Sequence, residues 1–416
     1  MSNVAIDLLL DCLHQDPTRV EASRLGALSL AEWEDLVALA AEQRVRPLLY
    51  RRLQQLDVTD RMPASVREQL QDACRQTALR TLRYYAETAR IAARLGREGI
   101  DVLALKGVHL AKTVYQHAAL REMNDIDLMV RPAHLPHAAA VLTSLGYESS
   151  KHIDIDVSCA VSHHLPPFVK SGVSKVEVHW NLTRPGAGFS IEPAELWQRA
   201  RTMDLGGQTV QVLAPEDLLL HLCQHASYHH QFGFGLRPFC DIATTVRHCG
   251  DQLDWDALCQ RAEAWRWQHG VYLVLRLAQE LVGAKVPPSA LTRLQPSSFE
   301  STVLQAAQEL VFTEKLVGQT VSAPLARLSE ERTWWKKLRV ILGRLFIPPV
   351  MLANAYSLPS HSPRLPLYYF VRAKDLLWRH GGPVLRLSQD QEVLKATAQR
   401  KYLINGWLYS YEESQG

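Results

Sequence analysis

Between Asn124 and Val130 the chain reads NDIDLMV, with carboxylate and aliphatic side chains alternating at a period of two. In an extended strand that period sends Asp125 and Asp127 to one face and Ile126, Leu128 and Val130 to the other. The aliphatic face requires a core, and the acidic face cannot be buried bare. A second run, KVEVHWNL over Lys175–Leu182, repeats the pattern, with Glu177 and His179 on one face and Val176, Val178 and Trp180 on the other. On a neighbouring strand, Glu177 could point into the same pocket as the aspartate pair.

The flanking sequence supplies the surroundings. Ile100–Leu105 is a short apolar run that ends in Lys106-Gly107, and Val108–Tyr115 then returns to helical spacing, so the order is strand, turn, helix. Ala133–Leu145 reads as a helix stopped by Gly146, Tyr147–Asp156 and Ser162–Lys170 read as strands, and Thr209–Leu213 can close the sheet. Ahead of this, apolar residues recur at helical spacing from Ile6 to Leu56, with Ser29 as an N-cap, and one long amphipathic helix runs from Pro63 to Gly96 and Gly99. From Pro215 the patterning is helical almost to the end, interrupted near Pro287, Pro324, Pro348 and Pro366. The expectation is an α+β fold in three parts: an N-terminal helical region over 1–99, a small mixed-sheet core of about four or five strands over 100–214, and a large helical C-terminal region over 215–416.

Composition narrows the function. Lys and Arg total 46 against 43 Asp and Glu, a formal charge of +3 that does not point to a general polyanion-binding surface. Carboxylates at Asp7 and Asp11 inside the first apolar stretch, with no basic leader, do not read as a signal peptide. The apolar run Val340–Tyr356 is broken by Arg344, Pro348, Pro349 and Asn354, so no membrane span is expected. Seven scattered cysteines without a CxxC pair fit free thiols in a reducing compartment, and a cytoplasmic location is expected.

The carboxylates carry the chemistry. Two aspartates two residues apart on one strand repel each other at a cost of about 1 kcal/mol or more, which a divalent cation removes. Oxygen-only ligands suit Mg2+ or Mn2+, commonly held by one or two carboxylates together with substrate phosphates. Asp125 and Asp127 fit that role, with Glu177 as the third carboxylate and Asp154 and Asp156 as competitors for it. Backbone N–H groups at Lys106-Gly107, with the Lys106 charge, favour an anionic group such as a triphosphate. Arg121 would contact that triphosphate, or pair with Asp125 or Glu122 and fix the turn. His221, His225 and His229 recur every four residues beside His230, without a further converging zinc ligand, and His179 and His225 with Arg237 and Asp241 are the other pocket candidates. Trp255, Trp265, Trp267, Trp334 and Trp335 read as helix-packing residues, and the basic run Lys336–Arg344 as a solvated helix face.

The segments LALKGVHLAKTVYQHAALREMNDIDLMV and KVEVHWNL together resemble the nucleotidyltransferase superfamily of the DNA polymerase beta type, and most closely its bacterial branch of uncharacterised nucleotidyltransferases. Arg44–Tyr50, the Pro-Glu-Asp-Leu-Leu-Leu-His-Leu stretch from Pro215, and Leu236–Asp241 are similar to that branch too. The resemblance implies metal ligation by Asp125, Asp127 and Glu177, and phosphate contact by Lys106 and Gly107. It further implies transfer of a nucleoside monophosphate from an NTP such as ATP to an acceptor, with release of pyrophosphate. A small molecule, sugar, peptide or RNA acceptor is open at this stage. The alternatives are a toxin-like nucleotidyltransferase acting on tRNA or protein, and a non-catalytic nucleotide-binding scaffold.

Overall fold

The computed structural model describes the chain except residues 1–2, 150, 152, 314–322, 332, 357, 360–361, 389–391 and 411–416. Its centre is a mixed seven-stranded sheet: β1 (Leu103–Ala104), β2 (Ile126–Met129), β3 (Glu148–Ser149), β4 (Phe168–Lys170), β5 (Ser174–His179), β6 (Arg201–Leu205) and β7 (Gln208–Val212). The spatial order is β3-β4-β5-β2-β1-β7-β6. β2 runs parallel to β5 and β1 parallel to β7, and the remaining pairs are antiparallel. The α+β expectation holds, with helices before and after the sheet.

The period-two pattern divides the sheet's two faces. Ile126, Leu128, Val130, Val176, Val178 and Trp180 pack with Tyr84, Ile91 and Leu95 of the long helix Ala64–Gly96 and with Ala138, Val141 and Leu142 of the helix Leu135–Ser144. The other face contributes Leu103, Leu105, Met129 and Leu213 to a second core. That core also takes in Leu9, Leu36 and Leu49 from the N-terminal helices and Leu219, Leu222 and Leu273 from helices after Pro215. The N-terminal helices and the helices after Pro215 are therefore packed together over the acidic face of the sheet, and a cavity lined by Arg44 and by residues from His221 to Asp241 lies between them and β2 and β5.

Three expectations about the sheet need correction. Tyr147–Asp156 is not one strand: only Glu148–Ser149 pairs, and Ile155–Val161 is a helix capped by Asp154, whose Oδ1 accepts from Val157 N at 3.0 Å. The strand expected over Ser162–Lys170 is confined to Phe168–Lys170. The sheet also has more strands than expected, because β6 pairs with β7 through a two-residue turn, Gly206-Gly207, whose φ values of +66° and +85° suit the tight hairpin.

The helical part follows its prolines: Pro215, Pro288, Pro349 and Pro366 each lie at the start of a helix, where the missing N–H costs nothing. Trp265 and Trp267 are buried as expected, but Trp334 and Trp335 are 59% and 62% exposed, because the helix Trp334–Leu345 buries none of its residues. Among the described residues no single helix is long and apolar enough to cross a membrane; Trp334–Leu345 and Pro349–Tyr356, bent by 59°, pass on length and composition only as a pair.

Candidate active site

The register of β2 and β5 builds the site. Parallel pairing sets Asp127 beside Glu177 and Met129 beside His179, so alternation points Asp127, Glu177 and His179 into one cavity of ≈ 380 Å³. Ligand atoms of these three residues all lie within 4.8 Å of one another. His179 Nε2 is 3.1 Å from Asp127 Oδ1 and 3.8 Å from Glu177 Oε2. Asp125 lines the same cavity, and Asp154 and Asp156 are not among its lining residues.

Two lysines neutralise the acids. Lys106 Nζ lies 3.4 Å from Asp127 Oδ2, and Lys175 Nζ sits between Glu177 Oε1 at 2.8 Å and Asp125 Oδ2 at 3.3 Å. Burial opposes ionisation of Asp127, but the Lys106 ammonium and the His179 hydrogen bond outweigh it and hold the carboxyl well below the usual range. Burial and repulsion from Asp127 also act against Glu177, whose carboxyl is nevertheless lowered by Lys175 and His179. Asp125 goes the other way: burial and the Asp127 charge raise it, with Lys175 and Lys106 compensating in part. The carboxyl that is raised is thus the one whose side chain is the most exposed of the three, at 36% against 18% for Glu177 and 6% for Asp127.

The donor set fits a divalent ion. Two carboxylates and one imidazole converge, and burial keeps His179 neutral against the pull of Asp127. Its Nδ1 is buried without a hydrogen-bond partner, so shifting the ring proton there to free Nε2 as a ligand gives up the Nε2–H to Asp127 Oδ1 hydrogen bond, a loss that a cation shared by Nε2 and the carboxylate would have to offset.

The Lys106-Gly107 turn leads directly out of β1, where Leu105 N donates to Asp127 O at 2.9 Å. Lys106 adopts φ +31°, a strained position for a residue with a side chain. A Cβ on Gly107 would lie 3.0 Å from Met123 Sδ and 3.4 Å from Arg121 Nη1, so the turn is packed against the chain entering β2. Arg121 itself is buried, and its Nε and Nη2 donate to Asp241 Oδ1 and Oδ2, each at 2.9 Å. Tyr115 Oη donates to the same Oδ1 at 2.9 Å. The carboxylate partner of Arg121 is therefore Asp241, on the helix Arg237–Cys249, rather than Asp125 or Glu122.

Opposite the acids stands a wall of imidazoles. The helix Pro215–Gln224 continues into a wider π turn, His225–His229, which stacks His225 on His229 with ring centroids 5.2 Å apart. His225 Nε2 and His230 Nε2 are 3.2 Å apart. Burial drives His221 and His225 far below the ordinary value and His229 down to about 4, so the wall is uncharged at neutral pH. His163 and His164 join it from the segment that bridges to His179. Of the residues singled out from the sequence, Lys106, Gly107, Arg121, Asp125, Asp127, Glu177, His179, His225, Arg237 and Asp241 line this one cavity, and so do His221, His229 and His230.

Sequence reasoning missed Lys175, His163, His164, Asn124 and Phe234, and gave Arg44 no role in the pocket. Lys175 was readable: it shares the alternation that singles out Glu177 and His179. The others come from loops and helix ends, where no periodicity marks which way a side chain points.

A family model described as uncharacterised nucleotidyltransferase matches residues 29–283. No curated protein matches the chain. The matched segment contains the sheet, both acidic strands and the histidine wall.

Proposed function

The chain belongs to the family of uncharacterised nucleotidyltransferases, and from that premise we propose that this cavity transfers a nucleoside monophosphate from an NTP to an acceptor and releases pyrophosphate. The observation that carries the proposal is the convergence of Asp127, Glu177 and His179 within 4.8 Å, beside Asp125 and the Lys106-Gly107 turn. The reading extends to the DNA polymerase beta type superfamily and to a bacterial source, on the order strand, Lys-Gly turn, helix, Asp-x-Asp strand. Seven unpaired cysteines support a cytoplasmic location.

In this reading Asp125, Asp127 and Glu177 would hold Mg2+ or Mn2+, with His179 as a nitrogen ligand, and the ions would supply Lewis-acid polarisation of the α-phosphate and acidification of the acceptor hydroxyl. Lys106, at the turn beside Asp127, is the cation placed to meet the phosphate tail, and Lys175 neutralises Asp125 and Glu177. Arg121, tied to Asp241 and Tyr115, acts as a positioning residue that holds the Lys106-Gly107 turn against β2. The neutral histidine wall lines the acceptor side without adding charge that would compete with the cations.

Incubation with each labelled NTP, Mg2+ or Mn2+ and cell extract is the direct test. Transfer of label with pyrophosphate release is expected from wild type, and a loss of about a hundredfold or more from Asp125→Asn and Asp127→Asn. Undiminished transfer by either variant overturns the proposed site. Nucleotide binding without any pyrophosphate release would turn the reading into a non-catalytic nucleotide-binding protein.

A further inference from the structure

On the helical side of the cavity two guanidinium groups converge without an acid to meet them. Arg44 follows the helix Leu30–Glu42 and takes φ +59°, a left-handed conformation that costs a residue with a Cβ about 1 kcal/mol or more. Its Cζ lies 4.4 Å from the centre of the Phe234 ring, and the Cζ of Arg237, first residue of the helix Arg237–Cys249, lies 4.8 Å from the same centre. The two charges are therefore no farther apart than the sum of those distances.

Neither arginine has a carboxylate within 4.0 Å among the described residues. Arg237 Nη1 donates to the Glu122 carbonyl at 2.9 Å, while its Nε is buried with no partner. Arg44 Nη1 reaches only the Asn124 amide oxygen, at 3.0 Å once that amide is turned to let its nitrogen donate to Met123 O. Asp241 is close enough to act on Arg237, but both its oxygens are taken by Arg121 and Tyr115. Burial, with repulsion from Arg121 and Arg44, lowers Arg237 to about 10, which still leaves it charged at neutral pH.

The pair is held in place. Gln43, next to Arg44, accepts through Oε1 from Leu236 N at 2.9 Å, and Gly235 has φ +78° with Gln43 so close that a Cβ there would lie 2.8 Å from Oε1. This clasp joins the end of one helix to the start of another that is 193 positions away, and it fixes Arg44, Phe234 and Arg237 relative to one another. Two like charges fixed together in a partly dry wall are stable partners only for an anion.

We propose that Arg44 and Arg237 form an anion subsite that binds a phosphate group at the wall facing the acidic strands. The anion itself is inferred from the arginines alone; its identity as a substrate phosphate, in the NTP tail or on a phosphorylated acceptor, rests on the nucleotidyl-transfer reading. Guanidinium forks suit tetrahedral phosphate oxygens, and Phe234 holds both planes by cation–π contact.

The test uses the full chain in EDTA, so that the carboxylates cannot contribute through metal, with inorganic pyrophosphate as the probe in calorimetry. Arg44→Gln and Arg237→Gln are each expected to weaken pyrophosphate binding about tenfold. An affinity within twofold of wild type in both folded variants overturns the subsite, as does the absence of binding to wild type at millimolar pyrophosphate. If a Gln variant fails to fold by circular dichroism, Arg44→Lys or Arg237→Lys replaces it, with a loss of about threefold expected and none overturning the proposal. A second arm measures NTP affinity with Mn2+: a parallel loss assigns the subsite to the nucleotide tail, and an unchanged value with weakened pyrophosphate binding assigns it to the acceptor. Pyrophosphate bound through the arginines by a protein that transfers no label would sink the transfer reading alone; label transfer with arginine-independent pyrophosphate binding would sink the subsite alone.

Discussion

Lys175 occupies, with its ammonium, the position between Asp125 and Glu177 that a divalent ion would neutralise. Its side chain is about one-third exposed, so screening limits each of the two pairs to about 1 kcal/mol or less. Removing it removes a competitor for the same carboxylates. Lys175→Met is therefore expected to tighten Mn2+ binding about tenfold, read by electron paramagnetic resonance of free Mn2+. Weaker or unchanged binding would show that the carboxylates do not form the ion site. The same residue shows what sequence can and cannot deliver at this scale. Asp125 and Asp127 follow from one alternating run and Glu177 and His179 from a second, whose period Lys175 shares, whereas Arg44 lies at a left-handed backbone position that no spacing rule announces.

Among the elements, the strands with strict alternation were the legible ones. β2 and β5 lie where NDIDLMV and KVEVHWNL put them, and the long helix Ala64–Gly96 lies where its apolar stripe does. The strand expected over Tyr147–Asp156 ends early because the single Asp154 cap starts the helix Ile155–Val161, which also fills the gap before the strand expected from Ser162. β6 was overlooked although Gly206-Gly207 is a strong hairpin signature. The clasp between Gln43 and Gly235 was beyond reach, since it depends on two loops distant in sequence. Gly235→Ala tests it: the positive φ and the close approach predict a stability loss of about 2 kcal/mol in urea unfolding. The same change should weaken pyrophosphate binding in the direction of Arg44→Gln. A stability loss with intact anion binding would show that the clasp does not position the arginines.

At the scale of the whole molecule, buried uncharged histidines make folding sensitive to acid. His109 is buried, its Nδ1 has no partner, and burial, aided by His248, lowers it to about 4. A group whose folded-state value is depressed binds fewer protons than the unfolded chain below pH 6.5, so its contribution is intact above that pH and is lost as pH falls toward 4. The slope is about 1.4 kcal/mol per pH unit for one such group. Urea unfolding at pH 5 should therefore show lower stability than at pH 7, and His109→Gln should recover about 2 kcal/mol of that difference. An unaltered pH difference in the variant would mean that His109 is protonated in the folded chain.

The Gln43–Leu236 hydrogen bond has an evolutionary corollary. Because the recognition wall is spliced from two distant stretches of polypeptide, specificity cannot travel on either one alone. A chimaera that imports the later helices from a relative must bring that relative's first fifty or so residues with it, or the graft will carry a foreign half-wall.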